Sequence, residues 1–116
     1  MLLYDRPTFP PPSKEGLMIL EIAQIDVKPG READFEAKVA EAAPLFKRAK
    51  GCLGMELQRS IEKPARYRLL VQWQTLENHT VDFRGSDDFQ TWRGLVGDCF
   101  AAPPDVEHTT LAVKGF

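Results

Sequence analysis

Residues 65–74 alternate so regularly that they leave little choice of fold. Tyr67, Leu69, Val71 and Trp73 fall on one side, and Arg66, Arg68, Leu70, Gln72 and Gln74 on the other. A two-residue period rich in aromatic and β-branched side chains marks a strand that buries one face. Such a strand needs paired neighbours and a second layer to cover its apolar side. The nearest partner is 52–60, with Leu53, Met55 and Leu57 on one side and Glu56 and Gln58 on the other. Lys63 and Pro64 supply a turn, so the two runs form a hairpin.

The remaining elements follow from period and punctuation. Residues 18–28 read as a strand with Ile19, Glu21, Ala23, Ile25 and Val27 on one face, and Met18, Leu20, Ile22, Gln24 and Asp26 on the other. Both faces start apolar, which predicts a strand buried on both sides. Pro29 and Gly30 break it. Residues 31–49 read as an amphipathic helix buried through Phe35, Val39, Ala43 and Phe46, with Pro44 expected to kink or restart it and Gly51 to stop it. Residues 76–101 read as helix in two pieces. Thr75 caps the first, Arg84 and Gly85 interrupt it, and Ser86 starts the second, whose stripe is Phe89, Trp92, Val96 and Phe100. Pro103 and Pro104 end it, and 105–114 form a last strand that carries His108.

The order is strand, helix, strand, strand, helix, strand. This doubled βαβ predicts an α+β, ferredoxin-like domain, a four-stranded antiparallel sheet with both helices on one face. The opposite face keeps Leu20, Ile22 and Leu70, a patch that a homodimer built sheet to sheet would cover. The chain divides into a proline-rich arm at 1–17 (Pro7, Pro10, Pro11, Pro12), expected to be extended, and one domain at 18–116.

Charge narrows the function classes. The net charge is −2 with acids and bases interspersed, and no basic stripe suggests a nucleic-acid partner. No apolar run approaches the ~20 residues that span a bilayer. The start lacks the basic and long apolar regions of a signal peptide, so a cytoplasmic protein is expected. Cys52 and Cys99 are too few and too distant for a disulfide framework or a zinc site, and read as buried free thiols. Dinucleotide, P-loop and nucleophile-elbow motifs are absent, and two distant histidines without carboxylates at ligand spacing give no metal site.

The groups able to do chemistry concentrate between Trp73 and Arg93. His79, early in the second helical segment, titrates near neutrality and is the first candidate for proton transfer, against the plain reading of a surface or capping histidine. His108 shares a strand side with Val106 and reads more simply as a structural histidine. A contact of His79 with His108, or with Glu21 or Glu107, would raise the weight of both. Arg84 is a candidate partner for an oxyanion or carboxylate, and Arg93 a weaker one. Trp73, Tyr67, Phe83 and Trp92 are candidate walls for a flat ring; Phe89 reads as core. Trp73 stands out because its N–H needs a partner.

These features resemble a known family. Val27-Lys28-Pro29-Gly30 closing the first strand, Gly51-Cys52-Leu53-Gly54 opening the second, and a third strand ending in Trp73 resemble antibiotic biosynthesis monooxygenase (ABM) domains, which are similar to quinol monooxygenases and anthrone oxygenases. The resemblance covers about 18–113. His79-Thr80, Phe83-Arg84, Ser86, Phe89, Trp92-Arg93 and the Pro103–His108 run resemble an uncharacterised branch. It implies a homodimeric α+β barrel with a pocket between helices and sheet, and oxidation by O2 without flavin, haem or metal. A haem-degrading sub-branch uses an asparagine, a tryptophan and a histidine. By spacing these fall here on Ala23, Trp73 and Phe83, so haem degradation is not expected. The resulting expectation is a cofactor-independent monooxygenase acting on a small aromatic such as a quinol, phenol or anthrone. The alternative is a non-catalytic dimeric barrel that binds a small ligand or serves a stress response.

Overall fold

The computed structural model describes residues 18–116, so the arm at 1–17 lies outside the described residues. The chain runs β1 (Ile19–Asp26), α1 (Glu32–Lys47), β2 (Cys52–Arg59), β3 (Arg66–Trp73), a π-helical segment (Asn78–Phe83), α2 (Asp87–Val96), a 3-10 turn (Gly97–Cys99) and β4 (Asp105–Thr109). The strands form one antiparallel sheet in the order β2-β3-β1-β4, the ferredoxin-like arrangement. The two strands with the most continuous apolar pattern take the two central places. Among the described residues no helix is long and apolar enough to cross a membrane.

One side of the sheet buries Ala23, Ile25, Tyr67, Leu69, Val71 and Trp73. Phe35 of α1 meets the Tyr67 ring edge-on at 5.0 Å, and Phe46 meets Trp92 of α2 edge-on at 5.0 Å. Each such side chain contributes roughly 1.5–3 kcal/mol by leaving water. Leu20, Ile22 and Leu70 are half-buried on the opposite side, turned away from both helices.

Three details depart from the expected pattern. α1 continues through Pro44 to Lys47, because a proline in the last turn removes only one intrahelical bond. Its buried stripe is Phe35, Val39, Ala42 and Phe46, a closer fit to the helical period than one through Ala43. A bulge between Cys52 and Gly54 turns Leu53 outward, leaving it 41 % exposed while Met55 and Leu57 pack on the core. Cys99 is buried and Cys52 half-buried, both as free thiols.

Gly51 joins α1 to the site. Its φ is +76°, and its carbonyl accepts from the Gln74 N–H at 2.8 Å, just past β3. A Cβ here would lie 2.0 Å from Asn78 Oδ1. Gly30 also has positive φ, at +89°, but a Cβ there meets nothing within 4 Å. Both positions disfavour an L side chain, and only Gly51 adds a collision. Gly51→Ala should therefore lose about 1–3 kcal/mol more stability than Gly30→Ala in urea unfolding. Equal losses would mean that Asn78 moves aside without cost.

Candidate functional site

Glu21 is the anomaly of the core. It sits on the β1 face that otherwise buries Ala23, Ile25 and Val27, and is itself 5 % exposed. A buried carboxyl needs partners. The fully buried Trp73 supplies one, donating its indole N–H to Glu21 Oε1 at 3.0 Å. His79 supplies another contact, with Nε2 3.3 Å from the same oxygen. The imidazole lies flat against the Trp73 indole, with ring centres 5.2 Å apart and an interplanar angle of 14°. Its other nitrogen, Nδ1, is 2.7 Å from His108 Nε2. His108 is brought there by sheet register, since it pairs directly with Glu21 across β1 and β4. Glu21, His79 and His108 thus form a line from the core toward the edge of the sheet.

The local backbone explains why His79 faces inward. Thr75 and Asn78 cap the segment reciprocally: the Asn78 N–H donates to Thr75 Oγ1 and the Thr75 N–H to Asn78 Oδ1, both at 3.1 Å. The next turn is wide, and the Arg84 N–H reaches back five residues to the His79 carbonyl at 3.1 Å. His79 and Phe83, four residues apart, lie on its inner face and are both buried. Ser86 ends this turn and begins α2: its hydroxyl donates to the Phe83 carbonyl at 2.6 Å and accepts from the Phe89 N–H at 3.2 Å.

A cavity of about 930 Å3 opens beside this line. Glu21 and His79 belong to its walls, with Phe89, Trp92 and Phe100 as aromatic surfaces and Arg84 and Arg93 as cations. Its size fits a drug-sized ligand. Of the residues expected to wall a pocket, Trp92 does so. Trp73 and Phe83 do not: they pack behind Glu21 and His79, 5.5 Å apart, and Phe83 continues to Phe46 and Phe89. Tyr67 is placed away from the cavity, at the other end of β3, donating its hydroxyl to Glu36 at 2.6 Å. Even alternation puts Tyr67 and Trp73 on one face, but a strand is long enough to separate its two ends. His108 stands behind the wall, reached through His79. Glu107 pairs with Ile22 in register, next to rather than within the line.

Burial sets the protonation. It pushes the Glu21 carboxyl up to about 7, against the Trp73 hydrogen bond and the Arg84 charge, which lower it. It pushes His79 down to about 4, with the charges of Arg84 and His108 adding to the effect. His108 is lowered as well, by burial and then by Arg84. His79 is therefore neutral at pH 7, and its contact with Glu21 is no ion pair. His79 Nδ1 is engaged by His108, and Nε2 faces Glu21. Among the described residues no three His, Cys, Asp or Glu side chains are arranged to hold a metal ion.

Two residues of this site were not singled out in the sequence as members of it. The signal of Glu21 is a lone acid on an inward strand face. Asn78 carries the signal of a threonine three residues before it.

Relatives agree with this architecture. The family model for antibiotic biosynthesis monooxygenases matches residues 18–95. A crystal structure from Bordetella bronchiseptica, provisionally assigned as an antibiotic biosynthesis monooxygenase, is 62 % identical, with a TM-score of 0.83 over 84 % of this chain and 100 % of its own. A Caulobacter crescentus structure with the same provisional assignment is 26 % identical, with a TM-score of 0.73 over 84 % of this chain and 92 % of its own. The uncharacterised protein YczJ of Bacillus subtilis is 40 % identical over 91 residues, 78 % of this chain and 96 % of YczJ.

The placement of Glu21 has a measurable cost. Between about pH 4.5 and 7 the native carboxyl keeps a proton that the unfolded one has lost, so its contribution to stability falls as pH rises through that window and stays low above it. His79, pushed down, acts in the opposite sense between about pH 4 and 6.5 and masks part of the effect in the native protein. Comparison with Glu21→Gln isolates the carboxyl, because the amide oxygen still accepts from Trp73. The variant should match the native protein near pH 4.5 and exceed its stability by about 1–3 kcal/mol at pH 8. A pH-independent difference in urea unfolding would contradict this protonation.

Proposed function

The chain belongs to the antibiotic biosynthesis monooxygenase family, and on that premise we propose that it is a cofactor-independent monooxygenase that oxidises a small electron-rich aromatic with O2. The observation that carries this reading is a buried carboxyl, poised near neutrality, on the wall of an aromatic-lined cavity. A phenol, quinol or anthrone becomes a strong reductant once deprotonated, and a base inside a cavity walled by rings is what that step requires.

Glu21 is the base. Its pKa lies near working pH, where a general base is most effective. The substrate's proton passes to the carboxylate, and the carbanion or phenolate reduces O2. For an anthrone the ring CH2 becomes C=O, four electrons move to O2, one oxygen atom stays on carbon, and the other leaves as water with both hydrogens. The proton taken at the start is thus returned at the end. Glu21 holds it, and His79 and His108 relay it as neutral imidazoles, each taking a proton on one ring nitrogen as it releases one from the other: the carboxyl and His79 Nε2 are 3.3 Å apart, and the imidazoles are 2.7 Å apart. Arg84 favours the anion over its neutral parent by charge. Trp73 keeps Glu21 Oε1 and the His79 plane fixed.

O2 uptake over a panel of quinols and anthrones tests the assignment. At least one compound should be turned over, with a rate that rises with pH and levels off above about 7 as Glu21 ionises. Glu21→Gln and His79→Ala should each lose roughly 10²–10⁴-fold in kcat. No uptake across the panel, or unaffected variants, would remove the proposal.

We also infer a homodimer through Leu20, Ile22 and Leu70, whose half-buried face lies away from both helices. Ile22→Glu should convert the dimer to monomer in sedimentation, and a native monomer would rule the interface out.

A further inference from the structure

Most arginines of this domain are neutralised. Arg31 holds Asp34 at 2.7 Å, Arg48 holds Asp88 through two bonds, Arg66 holds Asp26 at 2.8 Å, and Arg59 reaches Glu36 at 3.4 Å. Arg68 donates to the Gln24 side chain at 3.2 Å. Arg84 and Arg93 differ. Like Arg68, neither has a carboxylate partner among the described residues, and unlike Arg68 both stand on the walls of the Glu21 cavity. Both are exposed, so they belong to the outer part of the cavity, while Glu21 and His79 are buried. The Arg93 guanidinium lies 5.9 Å from the centre of the Phe89 ring, which keeps its charge beside an aromatic wall. The charge of Arg84 reaches inward far enough to act on Glu21, His79 and His108.

The cavity therefore has two unlike ends. Its mouth carries two cations that hold no carboxylate among the described residues. Its floor carries the one carboxyl among the described walls. Such an arrangement sorts a ligand end for end, since a permanent anion is drawn to the mouth and repelled from an ionised floor. A neutral quinol would occupy the rings and leave both arginines unanswered. An aromatic acid answers them, and guanidinium groups suit the planar carboxylate.

We propose that the cavity binds a hydroxylated aromatic carboxylate, with its carboxylate at Arg84 and Arg93, its ring among Phe89, Trp92 and Phe100, and its hydroxyl toward Glu21. This names the substrate class of the oxidation site proposed above and rests on that reading for the chemistry, not for the binding.

The test is a matched pair of ligands, 2,5-dihydroxybenzoate and its methyl ester, titrated into the purified protein by tryptophan fluorescence. The acid should bind about tenfold more tightly than the ester, as expected for charge-assisted contacts at a partly exposed site. The preference should shrink as salt is raised, because the cations are screened. It should vanish in Arg84→Ala/Arg93→Ala, where the acid's affinity falls to that of the ester. Both positions are exposed, so the double variant should keep the native fold. Equal affinity for acid and ester, a preference that survives the double substitution, or binding of neither compound would each overturn the inference. O2 uptake with the acid is read separately. A selective binder that consumes no oxygen keeps the ligand class and sinks the oxygenase; an enzyme that turns over neutral quinols without preferring acids does the reverse.

Discussion

The hydrogen bond from the Trp73 indole to Glu21 is the contact on which the rest of the site depends. Two groups that are costly to bury, an indole N–H and a carboxyl, satisfy one another across β1 and β3. Neither would be tolerated alone in a face made of Ala23, Ile25, Leu69 and Val71. The bond also sets the plane of the tryptophan, against which His79 stacks. Strand register enforces all of it. A slip of one residue between β1 and β3 would move Glu21 to the opposite side of the sheet and dismantle the arrangement at once.

The second requirement is a backbone that delivers His79 to the far side of that carboxyl. His79 and Phe83 are four residues apart and so share one face of the segment, and both are buried. The wide turn that carries them is held at its start by the Thr75–Asn78 cap and at its end by Ser86. Gly51 is the quiet participant: the cap fits only because no side chain occupies the space beside Asn78. The end of α1, the end of β3 and the start of the wide turn are thereby locked into one small region.

The fold was legible because its signals are local. The two-residue period at Tyr67–Trp73, the breaks at Pro29-Gly30 and Pro103-Pro104, and the restart at Ser86 each act on neighbouring residues, and together they dictate element order. The site was only half legible. His79, His108 and Arg84 stand out by residue type, and Glu21 by its place on an apolar strand face. Their meeting depends on register across β1–β4 and on one extra residue in a helical turn, and neither leaves a mark in composition. The misplaced aromatics have the same origin: alternation shows which face Tyr67 and Trp73 share, but not how far along the sheet the cavity extends. For Leu53 the obstacle was a bulge, which inverts alternation without any glycine or proline at the inverted position itself.

The direct pairing of Glu21 with His108 ties the site to the shortest strand of the sheet. β4 has five residues, lies at an edge, and is paired on one side only. Edge strands open locally far more often than the molecule unfolds. Each opening would carry His108 away while Glu21, Trp73 and His79 stay seated between the central strands and the helices. The buried acid would then be cut off from its outer imidazole for the lifetime of the opening. In the proposed oxidation such an opening breaks the route from Glu21 through His79 to His108, which ties an interior group to the margin of the sheet.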